Sequence, residues 1–249
     1  MQPSSPGVFL TAEWKHLAML NYDIDPAALA GLVPAGTELD VWNGRTLVSV
    51  VGFQFLRTRV RGVPIPWHQN FEEVNLRFYV RRKAEEGWRR GVVFIREIVP
   101  RAAIALVARR LYHEPYIALP MGHRISGPPG AVTAAEYAWT FRKRRNHLAL
   151  SLSGPPQPLT DGSEAEFITE HYWGYNRQPD GSTLEYRVEH PRWRVYAVAE
   201  ARLDCDVAGL YGERFCASLG GRASSAFLAE GSAVSVHQGV RLAGRRTGR

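Results

Sequence analysis

Residues 71–80, Phe-Glu-Glu-Val-Asn-Leu-Arg-Phe-Tyr-Val, alternate with a period of two. Successive side chains of a strand point to opposite faces, so the segment reads as a strand. One face carries Val74, Leu76, Phe78 and Val80, and needs a core. The other carries Glu73, Asn75, Arg77 and Tyr79. That second face is either wet or lines a polar cavity. On a solvent face the Glu73/Arg77 spacing contributes roughly 0–1 kcal/mol. Inside a closed sheet the same row brings an acid, an amide and a guanidinium to one ligand.

The rest of the chain repeats the strand signal. Strand runs are read at 46–56, 92–98, 137–141, 147–153, 183–189 and 192–203, with a weak one at 232–242. Glu85-Glu86-Gly87 turns the 71–81 run into a hairpin with its successor, and Asp180-Gly181 is a second hairpin turn. Helix signals are fewer. Asp25 is a good N-cap before Pro26 at the first helical position. The alanine- and leucine-rich stretch 101–111 after Pro100 predicts a helix. Ser163 and Glu166 form a capping box. Strands outnumber helices and hairpins outnumber crossovers. The expected class is α+β, mainly antiparallel β, rather than a doubly wound sheet. The 249 residues show no repeat or low-complexity linker, so one domain over 1–249 is expected, with loose ends at about 1–8 and 240–249.

Composition excludes some functions. The net charge is +7, and only Lys15, Lys83 and Lys143 are lysines. The arginines are scattered, and their densest run, Arg142 to Arg145, lies beside a turn. That is a solvated basic surface rather than a nucleic-acid face. Cys205 and Cys216 form no disulfide framework and fit no zinc spacing. No apolar run reaches about 18 residues, so no membrane span is expected. The first seven residues lack the regions of a signal peptide, and a cytoplasmic location is expected. The eight histidines have no metal-ligand spacing, and no phosphate loop or serine elbow is present. No cofactor, metal, nucleic acid or membrane partner is expected, and homo-oligomerisation is left open.

Two residues outside the alternating strand draw notice. Arg101 follows Pro100 at a strand-to-helix passage, where a helix start favours anions. It could hold a carboxylate in a fork, or be a basic residue with its head in solvent. His171, beside Tyr172, Trp173 and Tyr175, reads as a core or interface histidine in preference to an acid–base group.

Several blocks together resemble a known family. They are Asn21-Tyr22 with Leu29 and Pro34; Phe71, Glu73, Asn75, Arg77, Tyr79 and Val80; Gly91 to Phe94; Glu97 to Pro100; Pro115-Tyr116; Glu166 to Tyr172; and Glu189-His190-Pro191-x-Trp193. From about Trp14 to Val236 the chain resembles the YqjF-like bacterial family, domain of unknown function 2071. That family is similar in fold to acetoacetate decarboxylase. The resemblance implies a conical, largely antiparallel β-barrel with a few short helices and a pocket inside. The decarboxylase places a Schiff-base lysine just after a proline, on the strand corresponding to 92–99. Here Pro100 is followed by Arg101 and Ala102, and a guanidinium forms no imine. The implied function is a pocket that binds or converts a small carboxylate or carbonyl compound without Schiff-base decarboxylation. The alternative is a non-catalytic small-molecule-binding or interaction module on the same scaffold. Glu73 is the expected acid–base group, with Asn75, Arg77, Arg101 and Tyr116 as expected ligand contacts.

Overall fold

A computed structural model describes residues 7–102 and 115–242. Its strands, in chain order, are β1 (Val8–Asp23), β2 (Glu38–Leu39), β3 (Leu47–Val60), β4 (Val63–Pro64) and β5 (Phe71–Ala84). Then come β6 (Gly87–Val99), β7 (Tyr116–Ala118), β8 (Met121–Ser126), β9 (Ala134–Phe141) and β10 (Arg144–Gln157). The last are β11 (Trp173–Arg177), β12 (Thr183–Glu189), β13 (Val195–Asp204), β14 (Ser225–His237) and β15 (Val240–Leu242). All belong to one sheet. Most neighbours are antiparallel, while β6 pairs in parallel with β11 and β7.

The sheet closes on itself. The path β14–β1–β3–β5–β6–β11–β12 returns to β14 through Val188 and Glu189, which face Val236 and Ser235. Closure gives each strand of the ring a neighbour on both sides, as an open sheet cannot. The sheet then continues from β14 through β13, β10, β9 and β8. This extension packs over the outside of the ring. Val74, Leu76, Phe78 and Val80 share a core with Tyr137, Trp139, Leu148 and Leu150. Gly52 permits the approach, because a Cβ there would lie 2.6 Å from the Tyr137 ring. Both faces of β5 are therefore covered, the outer by this second layer and the inner by the ring itself.

Three bulges shape the inner wall. The register shifts between Lys15 and Ala18, between Thr11 and Glu13, and between Leu76 and Arg77. His16 and Arg57 take φ of 54° and 53° at the first two. An extra residue flips the alternation beyond it. Residues three apart then share the inner wall: Trp14 with Leu17, Phe55 with Thr58, and Phe94 with Glu97.

The local signals hold where the structure describes them. The Asp25 carboxylate accepts from Ala27 N–H and opens a 3-10 helix over Pro26–Leu29. Helix α1 (Glu164–Thr169) starts at Ser163, whose hydroxyl accepts from Glu166 N–H at 3.2 Å. Glu166 reaches back to Gly162 N–H at 2.6 Å, one residue earlier than a standard capping box. The helix expected over 101–111 falls largely on 103–114, outside the described residues. Parts of the expected loose ends are paired: Val8 faces His237, and β15 pairs with β12. No helix among the described residues is long and apolar enough to cross a membrane.

Candidate functional site

The ring encloses a cavity of ≈270 Å³. Strand register arranges its wall in tiers. Leu10 faces Val60, and Trp14, Phe55 and Phe71 are neighbours on adjacent strands. Phe53 faces Glu73, Val51 faces Asn75, and Ser49 faces Arg77. The polar row of β5 thus runs down the cavity from an aromatic tier at Phe71 to a guanidinium at Arg77. α1 borders the Arg77 end, where Ile168 C=O accepts from Arg77 Nη2 at 3.4 Å.

Glu73 is buried in this wall, with 2% exposure. Its Oε1 accepts from Asn75 Nδ2 at 2.9 Å, and its Oε2 accepts from the Tyr116 hydroxyl at 3.0 Å. Burial pushes its pKa up to about 7. The two hydrogen bonds and the Arg77 charge oppose that rise without cancelling it. Near neutral pH the carboxyl is divided between its acid and base forms.

Arg77 carries the local positive charge. Among the described residues its hydrogen bonds go to no carboxylate, and its Nε is buried without a hydrogen-bond partner. Its remaining contacts are weak: Met19 Sδ at 3.9 Å, the Ile168 carbonyl, and the face of Tyr79 with the guanidinium carbon 5.6 Å from the ring centre. Asn75 Oδ1, two positions along, is likewise buried and unpartnered among the described residues. Buried polar atoms in native proteins are nearly always bonded. A cluster of open ones around a cavity marks places for ligand atoms.

His171 lies in the wall near the Arg77 end. Its Nε2 is 3.1 Å from Asp40 Oδ2, and Arg90 Nε donates to the same oxygen at 2.7 Å. A carboxylate only accepts, so the neutral ring carries its proton on Nε2. Nδ1 keeps a lone pair and has no partner among the described residues. Burial pushes the His171 pKa down to about 4, against the Asp40 bond. Burial also pushes Asp40 up, but the bonds from His171 and Arg90 outweigh it and hold the carboxyl below its usual range. The pair stays a neutral imidazole and a carboxylate at neutral pH.

Glu73, Asn75, Arg77 and Tyr116 all line one cavity. Arg101 does not join them. It is exposed, and its charge acts on Glu72, whose side chain points to the opposite face of β5. The reason is parity: Glu72 and Glu73 are adjacent on a strand. His171 is the group that the sequence undervalued. Its partner Asp40 lies 131 positions away, and no local spacing connects them. Trp193 packs among the aromatic residues of the inner wall and donates to Ser232 Oγ at 2.8 Å.

The family model described as an uncharacterized conserved protein, DUF2071, matches residues 11–233. The chain belongs to that family. Among curated proteins, the DUF2071 chain is 29% identical over 161 residues to the uncharacterized protein YqjF of Bacillus subtilis (strain 168). That match spans 64% of the chain and 62% of YqjF. Solved structures share the fold at low identity. An acetoacetate decarboxylase-like enzyme from Sphingomonas wittichii RW1 matches with a TM-score of 0.65 at 14% identity, covering 96% of this chain and 94% of its own. Acetoacetate decarboxylase from Legionella pneumophila gives 0.64 at 12%, covering 98% and 90%. The enduracididine biosynthesis enzyme MppR complexed with pyruvate gives 0.64 at 12%, covering 96% and 91%. All three lysines of the DUF2071 chain lie within the described residues, and none of them lines the cavity. Lys15 follows Trp14 on β1, so it takes the opposite face of that strand.

Proposed function

We propose that the cavity binds a small carboxylate or carbonyl compound and converts it by acid–base chemistry, without a Schiff base. The observation that carries this reading is Arg77, a guanidinium on a cavity wall with no carboxylate partner among the described residues. A ligand carboxylate would supply the missing partner through charge-assisted hydrogen bonds. Glu73 would be the acid–base group, since its raised pKa of about 7 gives it both forms at working pH. Asn75 and Tyr116 fix its orientation. His171, neutral and held by Asp40, offers a second base through Nδ1. Two titratable groups pushed in opposite directions are a common arrangement for proton transfer. The ring would be the conical barrel of the decarboxylase-like fold. A neighbour on that fold, MppR, is described as complexed with pyruvate, which agrees with an oxo-acid ligand.

The test is calorimetric titration with pyruvate and related oxo-acids. Arg77→Gln is expected to weaken binding by about tenfold to a hundredfold, the range for hydrogen bonds to a charged group. Unchanged affinity would remove Arg77 as the anchor. Once a turnover assay exists, Glu73→Gln is expected to abolish it while leaving binding measurable. Specific binding with no turnover of any bound compound would favour a non-catalytic binding module.

A further inference from the structure

We infer that the natural ligand is an elongated amphipathic acid, with its carboxylate at Arg77 and an apolar tail reaching the Trp14–Phe55–Phe71 tier. The inference rests on the proposed role of Arg77 and adds the class of molecule attached to the acid.

Length is the first argument. Phe71 and Arg77 line the same cavity from the same strand. Six positions at about 3.3 Å each separate them by about 20 Å. An acid of three or four carbons held at Arg77 leaves the aromatic tier untouched.

The chemistry of the wall is the second argument. Trp14 meets Phe55 edge-on at 5.7 Å, and Phe55 stacks on Phe71 at 4.7 Å. Beyond them the lining continues with Leu10, Val60 and Ile65. Glu73, Glu97, Asn75, Arg77 and His171 all lie beyond Phe71 in the direction of Arg77. The polar groups on the apolar stretch are Trp14 Nε1 and Thr58 Oγ1, both buried and unpartnered among the described residues, and the rings of His68 and His190, each bonded through Nδ1 to a neighbouring proline carbonyl. They can bond a chain oxygen, while the rest of this wall is apolar.

The apolar end also faces outward. The segment from Val63 to Asn70 contributes Ile65 and His68 to the lining, and its Val63 and Trp67 are 65% and 85% exposed. A tail leaving the aromatic tier meets this collar rather than a charged rim. Burying a methylene along such a wall strengthens binding by about fourfold.

The experiment compares butanoate, hexanoate, octanoate and decanoate with the matching alcohols, by calorimetry on the full chain. The acids are expected to bind about fourfold tighter per added methylene until the wall is filled. Each alcohol is expected to bind at least tenfold more weakly than its acid. A flat response along the acids overturns the tail and leaves the carboxylate reading intact. Alcohols that match their acids overturn the carboxylate reading and leave the apolar channel intact. Failure of every probe to bind overturns both. Ile65→Glu, on the partly exposed collar, should keep the melting temperature and butanoate affinity but weaken decanoate at least tenfold. Decanoate binding that survives this change overturns the proposed path.

Discussion

Gly231→Ala is expected to destabilise the fold by about 4 kcal/mol, whereas Gly181→Ala is expected to cost only about 1 kcal/mol. The two glycines have nearly the same backbone, with φ of 77° and 79°. An L-residue in that region costs roughly 1–2 kcal/mol on conformation alone. Their surroundings differ. A Cβ at Gly181 meets nothing within 4 Å, while one at Gly231 would lie 2.0 Å from the Trp14 carbonyl oxygen. That oxygen belongs to the backbone of β1, which cannot swing aside as a side chain would. Overpacking of this kind adds about 1–3 kcal/mol. Gly231 lies opposite Lys15, beside the bulge at His16. It lets β14 approach β1 where the chain turns Trp14 and Leu17 into the cavity. Urea denaturation of both variants measures the difference. Equal losses would show that close strand approach is not what Gly231 supplies.

The same region explains what a sequence reader could and could not see. The strand at 71–80 was legible because its alternation is unbroken from Glu73 to Val80 and its hairpin turn is marked by glycine. The caps at Asp25 and Ser163 were legible because they depend on neighbours three residues away at most. β1 was not legible. Its alternation reverses at His16, and its 16 residues mix Lys15 and Glu13 with apolar ones, so no single period fits. Closure of the ring was equally hidden, since it depends on two bridges between β12 and β14. The row Glu73, Asn75, Arg77 could be recognised as a unit, but its setting could not. Whether it met water or a cavity was decided by β6, β11 and β12, whose sequences say nothing about β5. Arg101 is open to two readings in the sequence for a related reason: position next to Pro100 gives a backbone setting but no direction for the side chain. Asp40 and His171 are joined only by the fold.

The second large effect concerns Glu73 and pH. Its ordinary pKa is 4.5, and burial in the fold pushes it up to about 7. Between those values the folded state binds more protons than the unfolded state, so this group's contribution to stability falls as pH rises. The contribution is complete below pH 4.5 and lost above pH 7. The size of the shift corresponds to roughly 3 kcal/mol. Glutamine resembles the protonated carboxyl and cannot ionise. Glu73→Gln is therefore expected to match the native chain at pH 4 and to exceed it by roughly 3 kcal/mol at pH 8. His171 works in the opposite sense. Its pKa falls from 6.5 to about 4 on folding, so the unfolded state takes up the extra proton and stability falls as pH drops through that window. Between about pH 4.5 and 6.5 the two slopes oppose each other in the native chain, and Glu73→Gln removes the first of them, leaving His171 with the other lowered groups, His16, His190, Asp40 and Glu72. Urea denaturation of both proteins across pH 4 to 8 gives the difference curve directly. A gap of constant size at every pH would mean that the Glu73 pKa does not change on folding and that the carboxyl is ionised near neutrality, so its use as an acid there would have to be abandoned. A gap that opens only above pH 5 would show a buried, proton-holding carboxyl on the same wall as a guanidinium that has no carboxylate partner among the described residues, the combination on which the proposed acid–base chemistry depends.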